Sequence, residues 1–235
     1  RVVPLDTQSP PPSFGPGGSR LGVAITGAVL GACEKIRDKM TRVVAGLMQT
    51  EPAHIQFRDG KFGIPGVEGA EMTVPEVAGT MLARSDLLPP DIDPRPEATH
   101  VWTAAGRTEA DEEGRAKSYL TAAQAVHVVA VEIDPETGEV EITKYAVVDD
   151  CGTRLNPVVV EGQLEGSVAQ GIGAALYEQY LYDEDAQPLT TTFMDYLIPT
   201  VNEMPPLLKG EVVTPSPFTP LGAKGCGEGA IHTTP

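Results

Sequence analysis

Apolar residues recur at helical spacing through the first third of the chain. Between Leu21 and Gln49 they fall at Ile25, Val29, Ile36, Met40, Val43, Val44 and Leu47. Glu34, Lys35, Arg37, Asp38 and Lys39 interrupt the run, which predicts an amphipathic helix and not a membrane span. His54 to Gly63 reads as a hairpin turning at Asp59-Gly60. Thr73-Val-Pro-Glu76 is a capping box that opens a helix to about Arg84. Residues 87–99, with four prolines, predict an extended connector.

From Ala123 the period changes. Val126, Val128, Val129, Val131 and Ile133 form one β-rich run and Val140 to Val148 a second, with the turn signal Asp134-Pro-Glu-Thr-Gly138 between them. Asn156 is a good N-cap and Pro157 fits the first helical position, so a helix is expected from Val158 to roughly Tyr182. Lys209 to Val213 reads as a strand, and Thr214-Pro-Ser-Pro-Phe-Thr-Pro-Leu221 as a stiff, extended approach to a final loop. The sum is an α+β fold of antiparallel hairpins packed with long helices.

Composition narrows the function more by exclusion than by suggestion. The 235 residues are 41% hydrophobic and suffice for a sizeable core. Seventeen basic against 33 acidic residues give a net charge of −16, which argues against nucleic acid or anionic membrane as a partner. No apolar run approaches the roughly 18 residues of a membrane span. Cys33, Cys151 and Cys226 are odd in number and far apart, which disfavours a disulfide framework, a zinc site or an iron–sulfur cluster and fits a cytoplasmic setting. The chain opens Arg-Val-Val-Pro, without Met, and reads as a piece of a longer polypeptide.

Three stretches stand out chemically. Gly222-Ala-Lys-Gly-Cys-Gly-Glu228-Gly229 surrounds one carboxylate with glycines, so a large ligand can approach its backbone closely; the alternative is a solvated surface turn. Gly17-Gly18-Ser19-Arg20 leads into the first helix, where free N–H groups favour an anion, or it is a plain lead-in. Gln163, Gly166, Gln170 and Gly173 share one helical face, bare apart from two amides. Such a face suits close helix packing or a polar, planar ligand. His127, within an apolar run, reads as a satisfied core or edge histidine. Gly225-Cys-Gly227-Glu-Gly229 is not a dinucleotide fingerprint, because no βαβ unit follows it.

Taken with Asp150-Cys-Gly-Thr-Arg-Leu-Asn-Pro157, Val160-Glu-Gly-Gln163 and Ala169-Gln-Gly-Ile-Gly173, the terminal loop resembles the molybdenum hydroxylase family of xanthine dehydrogenase, aldehyde oxidase and aerobic carbon monoxide dehydrogenase. The resemblance spans essentially the whole chain and is strongest to the bacterial large-subunit branch. It implies that residues 1–235 form the second, C-terminal molybdopterin-binding domain of a large subunit whose upstream half precedes this stretch. By residue, it implies Glu228 as catalytic base, Gly17, Gly18, Ser19 and Arg20 against the pterin, and Gln163 and Gln170 as amide contacts. Lys224, Gly225, Cys226 and Gly227 flank the metal through their backbone, and Asp150 and Cys151 lie near the nucleotide tail. No side chain of the chain ligates molybdenum, which the pterin dithiolene holds.

The implied cofactor is molybdenum–molybdopterin in its cytosine dinucleotide form, with [2Fe-2S] and FAD on partner subunits. The partners implied are an iron–sulfur small subunit and a flavin medium subunit, in a dimer of heterotrimers. The implied reaction is hydroxylation of a carbon centre of an N-heterocycle, aldehyde or aromatic substrate with oxygen from water. Glu228 acts as the base, since a carboxylate shielded in a dry pocket suits that role. A carbon monoxide dehydrogenase large subunit is the alternative within the family, and a non-catalytic structural subunit the alternative outside it. Without its upstream half, 1–235 is expected to bind no cofactor stably.

Overall fold

The computed structural model describes residue 15 and residues 17–104, 109–116 and 121–232; most of the Pro/Gly loop at 8–20 lies outside them. By contacts the chain forms two compact units, residues 25–103 and residues 1–24 with 104–235.

In the 25–103 unit, helix α1 (Leu21–Leu47, with its first turn counted to the other unit) ends in a core of Met40, Val43 and Val44. These pack with Ile55, Phe62, Val77, Met81 and Ile92. Strands β1 (Gln56–Arg58) and β2 (Lys61–Gly63) are the expected hairpin, closed by Asp59 and Gly60 at φ of 51° and 77°. The structure adds β3 (Glu71–Thr73), antiparallel to β2. It runs directly into α2 (Val74–Ala83), whose capping box at Thr73 and Glu76 is formed. Ile25 and Val29, expected on the buried stripe of α1, are exposed. The connector of residues 87–99 is strapped along α1 rather than free. Lys35 Nζ donates to the Thr99 carbonyl at 2.8 Å, and Lys39 Nζ to Arg95 and Glu97 at 3.1 and 3.0 Å.

The second unit is built on β4 (Gln124–Ile133) and β5 (Val140–Asp150), antiparallel as expected, with a register shift at Ala130/Val131. After β5 comes α3 (Pro157–Ile172), started by the Asn156 side chain, which accepts from the Val159 amide at 3.3 Å. Leu164, Val168 and Ile172, four residues apart, lay one stripe of α3 over Tyr145 and Val147 of β5, with Ala230 in the same core.

The pattern is silent on the first of two features here and is contradicted by the second. Strand β6 (Leu207–Glu211) pairs parallel to β5, so β5, α3 and β6 form a crossover and the sheet is not purely antiparallel. The helix also stops at Ile172 and not near Tyr182. A π turn over Gly173–Tyr177 follows, and then a small hairpin in which Leu189 N donates to Leu181 O at 2.8 Å around the Asp183–Gln187 turn. Asp183 Oδ1 accepts from the Asp185 and Gln187 amides, both at 2.9 Å, and this local pairing outcompetes further helix. No helix among the described residues is long and apolar enough to cross a membrane.

Candidate functional site

The end of β5 and the terminal loop are tied together by backbone. Gly152 bridges Ala223, the Lys224 amide donates to the Cys151 carbonyl at 2.8 Å, and the Thr153 and Ser216 amides converge on the Gly222 carbonyl at 3.1 and 2.9 Å. Gly152 (φ 67°) must be glycine here, because a Cβ would lie 2.3 Å from the Gly222 oxygen. Asp150 sits within this junction, its side chain 9% exposed. It accepts from the Gly152 amide at 2.9 Å, the Thr214 amide at 3.1 Å and Lys224 Nζ at 3.0 Å. Burial alone would raise the Asp150 carboxyl. The Gly152 amide, the Lys224 ammonium and the Thr214 amide outweigh it and hold the group well below the ordinary carboxylate range.

Several of the other predicted residues gather around this junction. A Cβ on Gly225 would meet the Ser19 side chain at 3.1 Å and the Gly18 carbonyl oxygen at 3.6 Å, so the Gly17–Arg20 turn lies against the loop. That turn carries two left-handed residues, Gly18 at φ 71° and Ser19 at φ 54°, and delivers the chain to α1. No acidic residue occupies the first turn of α1 to compete with an anion. Gly227 (φ 110°) lies under Gln163, whose Oε1 would be 2.4 Å from an added Cβ. The Cys226 thiol points at the Val160 carbonyl, 3.9 Å away.

Gln170, on the same face of α3 as Gln163, is exposed and is not drawn into the cluster. Gly162 and Gly166 have nothing within 4 Å of an added Cβ, so this bare face packs on nothing among the described residues there. Gly173 has left the helix and is buried against Glu178.

Glu228 is exposed and, among the described residues, forms no hydrogen bond or ion pair. The expected dry pocket is therefore not a property of this stretch of chain. Two surface concavities do exist, lined by residues of the β1–β3 sheet and α2, but neither contains a predicted site residue.

His127 is only half satisfied. Its Nδ1 pairs with the Tyr145 hydroxyl at 3.0 Å, while its Nε2 is buried without a partner among the described residues, 3.7 Å from where a Gly229 Cβ would sit. Burial lowers its pKa.

Sequence spacing missed one juxtaposition altogether. Asp149, Cys151 and Cys226 bring a carboxylate oxygen and two sulfurs within 4.8 Å of one another. Burial pushes the Asp149 carboxyl and Cys151 thiol up, and the Cys226 thiol up to about 12. Cysteines so distant in sequence gave no signal of this meeting.

A pterin-type cofactor fits what is present: a glycine-bordered loop, a helix start free of acidic side chains, and a helix face with two exposed amides and no bulky side chain. Comparison with known proteins agrees. A family model described as molybdopterin cofactor-binding domain matches residues 1–205, a span that ends before the terminal loop. The large subunit of nicotine 6-hydroxylase from Paenarthrobacter nicotinovorans is 34% identical, over 93% of this chain and 25% of its own. The carbon monoxide dehydrogenase large chain of Hydrogenophaga pseudoflava is 29% identical, over 95% and 26%. The crystal structure of quinoline 2-oxidoreductase from Pseudomonas putida 86 superposes with a TM-score of 0.76 at 35% identity, over 94% and 27%. The chain spans about a quarter of the length of these relatives.

Proposed function

Since the chain belongs to the molybdopterin cofactor-binding domain family, we propose that it is the second cofactor-binding domain of a molybdenum hydroxylase large subunit, with Glu228 as its base. The observation that carries this reading is the convergence on one loop. The Gly17–Arg20 turn, the end of β5 and the Gln163 face of α3 all reach the segment Lys224–Gly227 that leads to Glu228.

The cofactor, in the cytosine dinucleotide form, would be held by Gly17, Gly18, Ser19 and Arg20, by the Gln163 and Gln170 amides, and by the backbone of Lys224, Gly225, Cys226 and Gly227. When bound, it supplies the two-electron oxidation of the substrate carbon and passes electrons to [2Fe-2S] and FAD on partner subunits. Asp150 and Lys224 spend their side chains on each other and act as positioning residues, and Cys151 offers its carbonyl to the same junction. Glu228 takes up, at a carboxylate oxygen, the proton that water loses on becoming a nucleophile. Its exposure in this stretch leaves it accessible to substrate, and shielding from bulk water comes from outside these residues.

Identities of 34% and 35% with enzymes named for nicotine and quinoline, against 29% for carbon monoxide dehydrogenase, support an N-heterocyclic substrate. Partner subunits follow from relatives named as a large subunit and a large chain. Three unpaired cysteines suit a cytoplasmic complex.

The test is Glu228→Gln in the assembled complex, with molybdenum analysis and dye-linked oxidation of N-heterocycles. Molybdenum is expected to stay while turnover falls by about 10²–10⁴-fold, the usual weight of a general base. Full turnover in the variant removes Glu228 from the mechanism, and a wild-type complex without molybdenum or pterin supports a structural subunit instead.

A further inference from the structure

The side chains of Asp149, Cys151 and Cys226 have no part in the proposed reaction, yet their three donor atoms lie within 4.8 Å of one another. Backbone alternation at the end of β5 sets Asp149 and Cys151, the residue just past the strand, apart from Asp150, whose carboxylate is spent on Lys224. Cys226 arrives from the terminal loop, and its approach is fixed by the Gly152–Ala223 bridge and the Lys224 amide on the Cys151 carbonyl. Cys151 is 4% exposed.

We propose that Asp149, Cys151 and Cys226 bind one thiophilic divalent cation of the zinc class, which staples the end of β5 to the loop carrying Glu228. A tetrahedral zinc with Zn–S of about 2.3 Å and Zn–O of about 2.0 Å holds its ligand atoms roughly 3.5–3.8 Å apart. The three atoms here lie within 4.8 Å, so closing on a metal takes side-chain shifts of about 1 Å. A disulfide would use only the two sulfurs and give the Asp149 carboxylate no part. A dication uses all three donors and keeps a fourth position open for water. On binding, both thiols release their protons to solvent and the metal takes the thiolates. The resulting site carries one excess negative charge, and Arg154 and Lys224 both act on Asp149 from nearby. Molybdenum, held by the pterin, is counted separately, so loss of zinc with molybdenum retained is told apart from failure of the proposed function.

The assembled complex is dialysed against a chelator, then against Zn²⁺, and metals are counted per large subunit beside Cys226→Ala and Asp149→Asn. Expected are one zinc per wild-type subunit with two sulfur neighbours by X-ray absorption at the zinc edge, none in Cys226→Ala, and affinity weakened at least about tenfold in Asp149→Asn. Circular dichroism and size-exclusion chromatography establish that each variant folds and assembles. If Cys226→Ala fails these, Asp149→Asn decides, because it preserves side-chain size. Wild type without zinc, zinc unchanged in the variants (an adventitious ion only), or a Cys151–Cys226 disulfide in peptide maps of the purified complex each overturns the proposal.

Discussion

Replacing Lys224 by Met tests whether the Asp150–Lys224 pair holds the loop. Met keeps the stem and removes the charge. Both side chains are 9% exposed, and Asp150 would keep the Gly152 and Thr214 amides while losing the Lys224 ammonium. Breaking a buried pair from one side costs about 3–5 kcal/mol, and the two surviving amides place this case near about 3 kcal/mol. For a domain of this size unfolding as one cooperative unit, that is a drop of roughly 6–12 °C in the midpoint of this domain's own transition within the full-length subunit. Adding Asp150→Asn should return most of the loss, since the unpaired charge is then gone.

The pH dependence has a definite sign. In the wild type the folded-state pKa of Asp150 is depressed. Its contribution is therefore fully present above the ordinary carboxylate value of about 4 and disappears as pH falls through the depressed value. In Lys224→Met the buried carboxylate no longer resists protonation, so its difference from wild type should shrink as pH falls toward about 4. A Lys224→Met loss below about 1 kcal/mol, or one independent of pH, would mean that the pair behaves as an exposed ion pair and that the argument from burial is wrong.

Two glycine substitutions separate fold from cofactor. Gly152→Ala, at φ 67° with its Cβ 2.3 Å from a carbonyl oxygen, should destabilise by more than the roughly 1–3 kcal/mol of left-handed strain alone, measured by thermal unfolding. Gly166→Ala has open space and should stabilise α3 by up to about 1 kcal/mol; if the bare face meets the cofactor, molybdenum content falls although stability does not.

Features governed by neighbouring residues were legible in the sequence. The Thr73–Glu76 box, the Asp59-Gly60 turn, the Asn156 cap and the β4–β5 hairpin each depend on a few adjacent side chains, and each appears where expected. What the sequence hid depends on distant chain. The parallel partner of β5 is selected only once α3 has crossed over the sheet. The helix end at Ile172 is decided by an Asp183 turn eleven residues on, whose amides compete with helix. The candidate site was legible in part: the motifs name segments that lie together, since Ser19, Gln163 and Asp150 all meet the Lys224–Gly227 loop. Burial was not legible. Nothing in the residues around Glu228 distinguishes an exposed carboxylate from a shielded one, and two cysteines far apart in sequence carry no sign of contact.

The knot at Asp150 also has a history in time. Its bonds to Thr214 and Lys224 span 64 and 74 residues, and the Cys226 contact with Val160 spans 66. Closures of that length cost chain entropy before they return any energy, so they form after the hairpins and after α3 has docked. A nascent chain therefore holds the terminal loop open longest. The interval between docking of α3 and capture of Lys224 is the widest opportunity for a bulky group to enter between the loop and the bare helix face.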